Sequence, residues 1–309
     1  VEQMDTNILL ESGTNELEIL EFMIGNNHYG INVAKVREIL PYQQITPVPN
    51  AHPYIEGLFM PRETIITVVD LARSLSLKAE THPTDMLIVT NFNKLDIAFH
   101  VHQVIGIHRV SWAEVNKPDR TVNSTENSAA TGILKYDNRL IIILDFEKIV
   151  SDISPETSLK MSDIEKLGDR ERSDAHILVA EDSPLLSKLI YDSLSKAGYV
   201  NITLCNNGQE AWDKLVQWNH EGDSIFNHVR LVLTDIEMPL MDGHRLCKLI
   251  RDQKEFDEVP IIIFSSLINE DMRRKGESLG VNAQISKPEI GKLVGVMDDL
   301  IRATYQHTN

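Results

Sequence analysis

The chain has 309 residues, 42% of them hydrophobic and 25% charged, with a formal charge of −16. That length accommodates two ordinary domains, each able to bury its own core, and the acidic balance argues against nonspecific attachment to nucleic acid or an anionic membrane, where a polyanion is repelled and releases no counterions. No stretch approaches the roughly 18 uninterrupted apolar residues of a membrane span, and the acidic N-terminus lacks the basic and apolar regions of a signal peptide, so a soluble protein with protein partners is expected.

In chain order, the first half carries short β-rich runs, "LEILEFMI", "YGINV", "TIITVVDL", "DMLIVTNF", "LDIAFHV" and "LIIILDF", separated by turn-like segments. This rhythm predicts small antiparallel barrels or a sandwich. Catalytic features are missing from residues 1–150. His100, His102 and His108 fall at even separations, so on one continuous strand they would share a face. With no clear carboxylate or cysteine ligand beside them, they read as a solvent-facing or interface row and not as a metal site.

The runs "INVAKVREIL", "TPVPNAHPYIEGL", Arg62, "VVDL" and "LIIILDFEKIV" resemble the CheW family of chemotaxis coupling domains over about residues 14–150. The resemblance implies two SH3-like five-stranded barrels, all-β, joined by a groove that binds the histidine kinase CheA and the cytoplasmic tips of chemoreceptors. Candidate partner contacts are exposed apolar positions among Val36, Ile39, Leu40, Leu58 and Met60, for each of which core packing is the other available role. Glu38 and Arg62 can pair beside that surface. Family members commonly read Asn-Leu-Arg-Gly around the arginine. Here the stretch is Met60-Pro61-Arg62-Glu63, and Glu63 lacks the conformational freedom of glycine.

Residues 151–174 read as a polar, charged linker, with a short helix possible through "LKMSDIEKL". The parts on either side are both acidic, with 12 basic against 19 acidic residues over 1–150 and 18 against 27 over 151–309. After the linker the rhythm changes. Apolar runs "HILVA", "VRLVLT", "PIIIF" and "NAQIS" alternate with amphipathic segments such as "SPLLSKLIYDSLSKAG" and "GHRLCKLIRDQ", the pattern of βαβ units around a parallel sheet. Cys205 and Cys247 have no metal-like spacing and read as small buried hydrophobes in a reducing cytosol.

Each of the four runs leads into a polar residue suited to phosphoryl chemistry: Glu181 and Asp182, then Asp235, Ser265 and Lys287. At the C-terminal ends of parallel strands these gather along one sheet edge. A carboxylate that attacks phosphorus needs its own charge and that of the incoming group neutralised by a hard cation, and Mg²⁺ prefers one or two carboxylates plus carbonyl and phosphate oxygens. Asp235, ending a strand and entering a Pro/Gly loop, is the candidate nucleophile. Glu181, Asp182 and Asp235 are the candidate metal ligands, while Lys287 and Ser265 supply a positive charge and a hydroxyl to the phosphoryl oxygens.

This half, residues 175–309, resembles a response-regulator receiver domain, an α/β doubly wound parallel five-stranded sheet. The spacing is 30 residues from Asp235 to Ser265 and 22 from Ser265 to Lys287, and "NNGQEAW" resembles the entry to the second helix. From Asp182 to Asp235 is 53, longer than the family pattern, with the excess assigned to "VQWNHEGDSIFNHVR" as a loop insertion. The resemblance implies that the backbone carbonyl of Glu237 also serves Mg²⁺ and that the Lys287–Pro288 peptide is cis. Receivers usually carry an aromatic residue three positions before the lysine, and here that position is Gln284.

A CheW-like domain followed by a receiver is the arrangement of the CheV family. The implied function is a cytoplasmic chemotaxis adaptor at receptor arrays beneath the inner membrane, phosphorylated on Asp235 by CheA to alter coupling or drain phosphate. It would not be a turnover enzyme. Two alternatives stand beside it. One is a response regulator with a different N-terminal output, against which the acidic charge and the lack of a helix-turn-helix count. The other is an aspartate-nucleophile phosphohydrolase, which the stretch "DIEMP" disfavours because it lacks the second Asp and the Thr of the haloacid-dehalogenase-like pattern.

Overall fold

In the computed structural model the described residues are 14–78, 80–92, 95–118, 129–153, 170–222, 224–266, 268–287 and 289–307. Most of the predicted linker, the short helix suggested within it, and Pro288 with its peptide bond lie outside them. The chain forms two compact units, one of residues 17–160 with 286–288, and one of residues 161–285 and 289–309 with 1–16.

The first unit contains two five-stranded sheets, as the strand rhythm and the CheW resemblance predict. One sheet has the order β8-β1-β2-β10-β9, built from β1 (Glu16–Ile24), β2 (Asn27–Asn32), β8 (Gln103–Ser111), β9 (Ala130–Tyr136) and β10 (Arg139–Leu144). The other has the order β3-β6-β7-β5-β4, built from β3 (Val36–Pro41), β4 (Ile55–Phe59), β5 (Ile66–Asp70), β6 (Met86–Phe92) and β7 (Leu95–Val101). Alternation of side chains along the strands sorts the described apolar residues of this unit into three cores. Leu17, Ile19, Val110, Trp112, Leu134, Ile141 and Ile143 fill the first sheet. Phe59, Ile66, Val68, Leu87, Val89 and Ala98 fill the second. A third core, around Phe22, Ile31, Val69, Ile88, Phe99 and Phe146, takes residues from both sheets and from the helix Phe146–Ile153.

The second unit is a five-stranded sheet in the order β12-β11-β13-β14-β15, from β11 (Ser173–Ala180), β12 (Tyr199–Cys205), β13 (Leu231–Thr234), β14 (Ile261–Ser265) and β15 (Ala283–Ser286). The β11, β12, β13 and β14 pairings are parallel. The strands β13 and β14 are buried along their whole length, which is why they read as unbroken apolar runs. Helices Pro184–Lys196, Gly208–His220, Gly243–Asp252, Glu270–Ser278 and Ile290–His307 connect or follow the strands. Their starts are set by local chemistry: Ser183, Asn207, Asp242 and Asn269 each accept a backbone N–H of the first turn.

The stretch expected to be an inserted loop begins differently. Val216–His220 form the end of a helix, and Ile225–Asn227 add a 3-10 turn. Trp218 explains the extension, since it is buried with its ring 5.1 Å from that of His176 and so fastens the extra helical turn to β11. Both cysteines are buried and free, and burial pushes the Cys205 thiol up to about 11 and Cys247 up to about 12.

Candidate phosphoryl-acceptor site

In a sheet of strand order 2-1-3-4-5 the chain reverses direction of winding between its first and third strands, leaving a crevice beyond their C-terminal ends. Here those strands are β11 and β13. Their parallel register pairs Ala180 with Thr234, and the Asp235 N–H donates to the Ala180 carbonyl at 3.0 Å. The next residue on each strand therefore emerges at the same level, and these residues are Glu181 and Asp235. One carboxylate oxygen from each of Glu181, Asp182 and Asp235 lies within 4.8 Å of the others.

Local contacts fix this group. Asp235 is buried, its Oδ1 accepting the Ile236 N–H at 2.7 Å, and its carbonyl accepts the Thr234 hydroxyl at 2.8 Å. Glu181 is also buried, and its Oε1 accepts the Ser183 N–H at 3.2 Å. The following loop folds tightly back. The Gly243 N–H donates to the Ile236 carbonyl at 2.9 Å, and a Cβ on Gly243 would sit 1.9 Å from the Asp235 carbonyl oxygen, so only glycine admits this approach. Ser265 ends β14 and Lys287 follows β15, both buried, while Glu237 and Asp182 are half-buried.

Three converging carboxylates repel one another, and a divalent cation removes that penalty more effectively than protonation of a single group. Among the described residues the donor set consists of hard oxygens, with no thiol or imidazole, and therefore fits Mg²⁺ better than a soft transition metal. Sequence reasoning missed Asp242, which is buried, caps the helix Gly243–Asp252 through the Arg245 N–H at 2.6 Å, and is pushed up to about 6 by burial. It also missed His244, which burial pushes down to about 4. The "MDGH" turn was visible, but nothing in it signalled that these side chains turn inward.

The candidate coupling surface is mixed. Val36 and Ile39 pack partly against the shared core and Leu40 against the second-sheet core; Leu58 is half-buried, whereas Met60 is 62% exposed. Arg62 reaches Glu38 at 3.9 Å as a solvated pair. In the Met60–Glu63 turn the left-handed conformation falls on Arg62, at φ +63°, and not on Glu63. Ile65, 66% exposed, is an outward apolar residue of this turn that the sequence reading passed over because it sits inside a β-rich run.

The histidine row is not a row. β7 ends at Val101, and although the His100 and His102 rings meet edge-on at 6.4 Å, the three histidines bond to different partners. His100 is buried with its ring nitrogens 2.9 Å from Glu56 and from Asp85, His102 accepts the Gly25 N–H at 2.8 Å, and His108 meets buried Glu21 at 2.5 Å. The carboxylates come from strands and loops distant in sequence, so inspection of neighbouring residues could not find them.

A CheW-like domain model matches residues 18–154, and a response regulator receiver domain model matches residues 177–297. The chemotaxis protein CheV3 of Helicobacter pylori is 31% identical over 286 residues, covering 88% of this chain and 90% of that protein. CheV1 of the same organism is 28% identical over 296 residues, covering 88% and 89%. Among solved structures, the scaffolding protein TtCheW from Thermoanaerobacter tengcongensis aligns at 23% identity with a TM-score of 0.38, covering 41% of this chain and 83% of that one.

Proposed function

This chain belongs to the CheV family of chemotaxis proteins, and from that premise we propose that its CheW-like unit couples chemoreceptor tips to the histidine kinase CheA while Asp235 accepts a phosphoryl group from the kinase. The observation that carries the acceptor reading is the register-matched convergence of Glu181, Asp182 and Asp235 within 4.8 Å at the sheet's winding reversal. A carboxylate oxygen of Asp235 forms the new P–O bond as the P–N bond of the donor phosphohistidine breaks, and the imidazole nitrogen leaves with the electron pair and takes up a proton. Glu181, Asp182, Asp235 and the Glu237 carbonyl would hold Mg²⁺. When bound, that ion supplies charge neutralisation to the carboxylate and the phosphoryl oxygens. Ser265 donates its hydroxyl to a phosphoryl oxygen and Lys287 contributes a positive charge. The hydrogen bond from the Ile236 N–H holds the Asp235 carboxylate in a fixed rotamer, so little reorganisation accompanies attack.

On this reading the protein is an adaptor that carries a phosphoryl signal and works at receptor arrays. No described helix is long and apolar enough to cross a membrane. The partner surface includes Met60, Arg62 and Glu38, with Val36, Ile39, Leu40 and Leu58 supporting it from beneath. The new negative charge on Asp235 biases the receiver between two states, which then alters coupling or drains phosphate.

The deciding experiment is intact-mass measurement after incubation with acetyl phosphate, with and without Mg²⁺, on the wild type and on Asp235→Asn. The expected result is a base-labile adduct that needs Mg²⁺ and is lost in the variant. A folded wild type that acquires no adduct from acetyl phosphate or from phosphorylated CheA removes the acceptor reading.

A further inference from the structure

Gln284 on β15 is tied to the helix Glu270–Ser278. Its Nε2 donates to the Arg273 carbonyl at 2.7 Å, and its Oε1 is buried with no hydrogen-bond partner among the described residues. The amide fits there because residue 276 is glycine, where an added Cβ would lie 2.5–2.6 Å from Cδ, Nε2 and Oε1 of Gln284. A buried acceptor without a donor is unfavourable, so the amide is held in place by its surroundings and not by its own preference.

The position of the tie gives it a consequence. Ser265 ends β14, and the helix begins five residues later at Glu270, so Arg273 lies in its N-terminal half, the half nearer to Ser265 in the chain. The other end is fixed independently: Arg251 donates to the carbonyls of Val259 and Gly280 and to Asn282 Oδ1, each at 2.9 Å. The Gln284–Arg273 bond thus joins β15 to the N-terminal half of this helix.

We propose that Gln284 is a positioning residue that holds the N-terminal half of this helix in its resting place, and that the tie breaks when Ser265 is drawn toward a phosphoryl group on Asp235. This rests on the acceptor reading above. By linkage, an interaction made only in the resting state opposes phosphoryl binding by its own net value, so removing it strengthens binding of a phosphoryl mimic.

The test measures affinity for the beryllium fluoride complex in saturating Mg²⁺ for the wild type, Gln284→Leu and Gly276→Ala. Leucine nearly preserves volume without the donor, and alanine pushes the amide away from the helix. Both are expected to bind the mimic about two- to tenfold more tightly, the range corresponding to one net hydrogen bond, with Mg²⁺ affinity in the absence of the mimic unchanged. A side chain that only stabilises the fold would lower the melting temperature without tightening the mimic. Unchanged or weaker mimic affinity in Gln284→Leu, beside a wild type that binds it, overturns the inference alone. A wild type that does not bind the mimic removes the acceptor reading and this inference together.

Discussion

The two units treat buried carboxylates in opposite ways. In the β unit, Glu21 is enclosed by one guanidinium and two imidazoles: Arg139 approaches it through Nε at 2.7 Å and Nη2 at 2.8 Å, His28 sits at 2.6 Å and His108 at 2.5 Å. Those partners, Arg139 foremost, hold its carboxyl down at about 2 against the opposing effect of burial. In the α/β unit three carboxylates converge on one another at the end of a sheet. The first arrangement is satisfied within the chain and serves the fold. The second gathers three carboxylates within 4.8 Å beyond the C-terminal ends of two parallel strands.

The largest effect separating the two is expected from Gly243→Ala. Its Cβ would strike the backbone carbonyl of Asp235, so the acceptor loop must move, and phosphoryl incorporation measured by intact mass should fall by at least tenfold. Gly295→Ala, with nothing near the new methyl group, is the matched control and should leave incorporation unchanged. Retained incorporation in Gly243→Ala would show that the close approach is incidental.

Asp242→Asn is expected to stabilise the α/β unit at pH 7 by about 2 kcal/mol, because asparagine keeps the helix cap and removes the ionisation that burial resists. A raised folded value near 6 against an ordinary value near 3.8 means that ionised Asp242 destabilises the fold at neutral pH, a cost that disappears as pH falls from 6 to 3.8. His244 acts in the opposite direction, losing stability as pH falls from 6.5 to about 4. The two largely cancel in the wild type, so Asp242→Asn should expose a steeper acid loss, readable in thermal melts between pH 7 and 4.

Glu21→Gln tests the β unit and should lower its stability by about 1–2 kcal/mol at pH 7, since the amide keeps one acceptor oxygen and replaces the other with an NH₂ facing Arg139 and one of the two histidines. The depressed carboxyl contributes stability that is complete above pH 4.5 and lost as pH falls through about 2, so the wild type and variant should converge in acid melts over that window. Convergence already at pH 6 would place the stabilisation elsewhere.

The smallest thermal effect is expected from Met60→Ser and Arg62→Glu, each within about 0.5 kcal/mol because both side chains face solvent. Their expected effect is on association: kinase or receptor capture by the intact protein should weaken at least several-fold while phosphoryl incorporation stays unchanged. Unaltered capture by both variants would move the coupling surface away from this turn.

How far the sequence reached differs between the units for a physical reason. After the linker, four apolar runs mark strands and the candidate residue is the next polar one, so Glu181, Asp182, Asp235, Ser265 and Lys287 could be placed at or just past strand ends from the order of residues alone. Parallel winding then brings those ends to one edge whatever the intervening loops contain. Periodicity also gave the β-rich character of the first unit and the change of rhythm between the two. It could not pair residues across strands, so His100 with Glu56 and Asp85, and Glu21 with Arg139, remained invisible, their partners lying 44, 15 and 118 residues away. The fastening of Trp218, the inward turn of Asp242 and His244, and the fit of Gln284 over Gly276 were likewise decided by tertiary structure. Each depends on which side chain occupies a space enclosed by several elements, and that information is absent from any one segment.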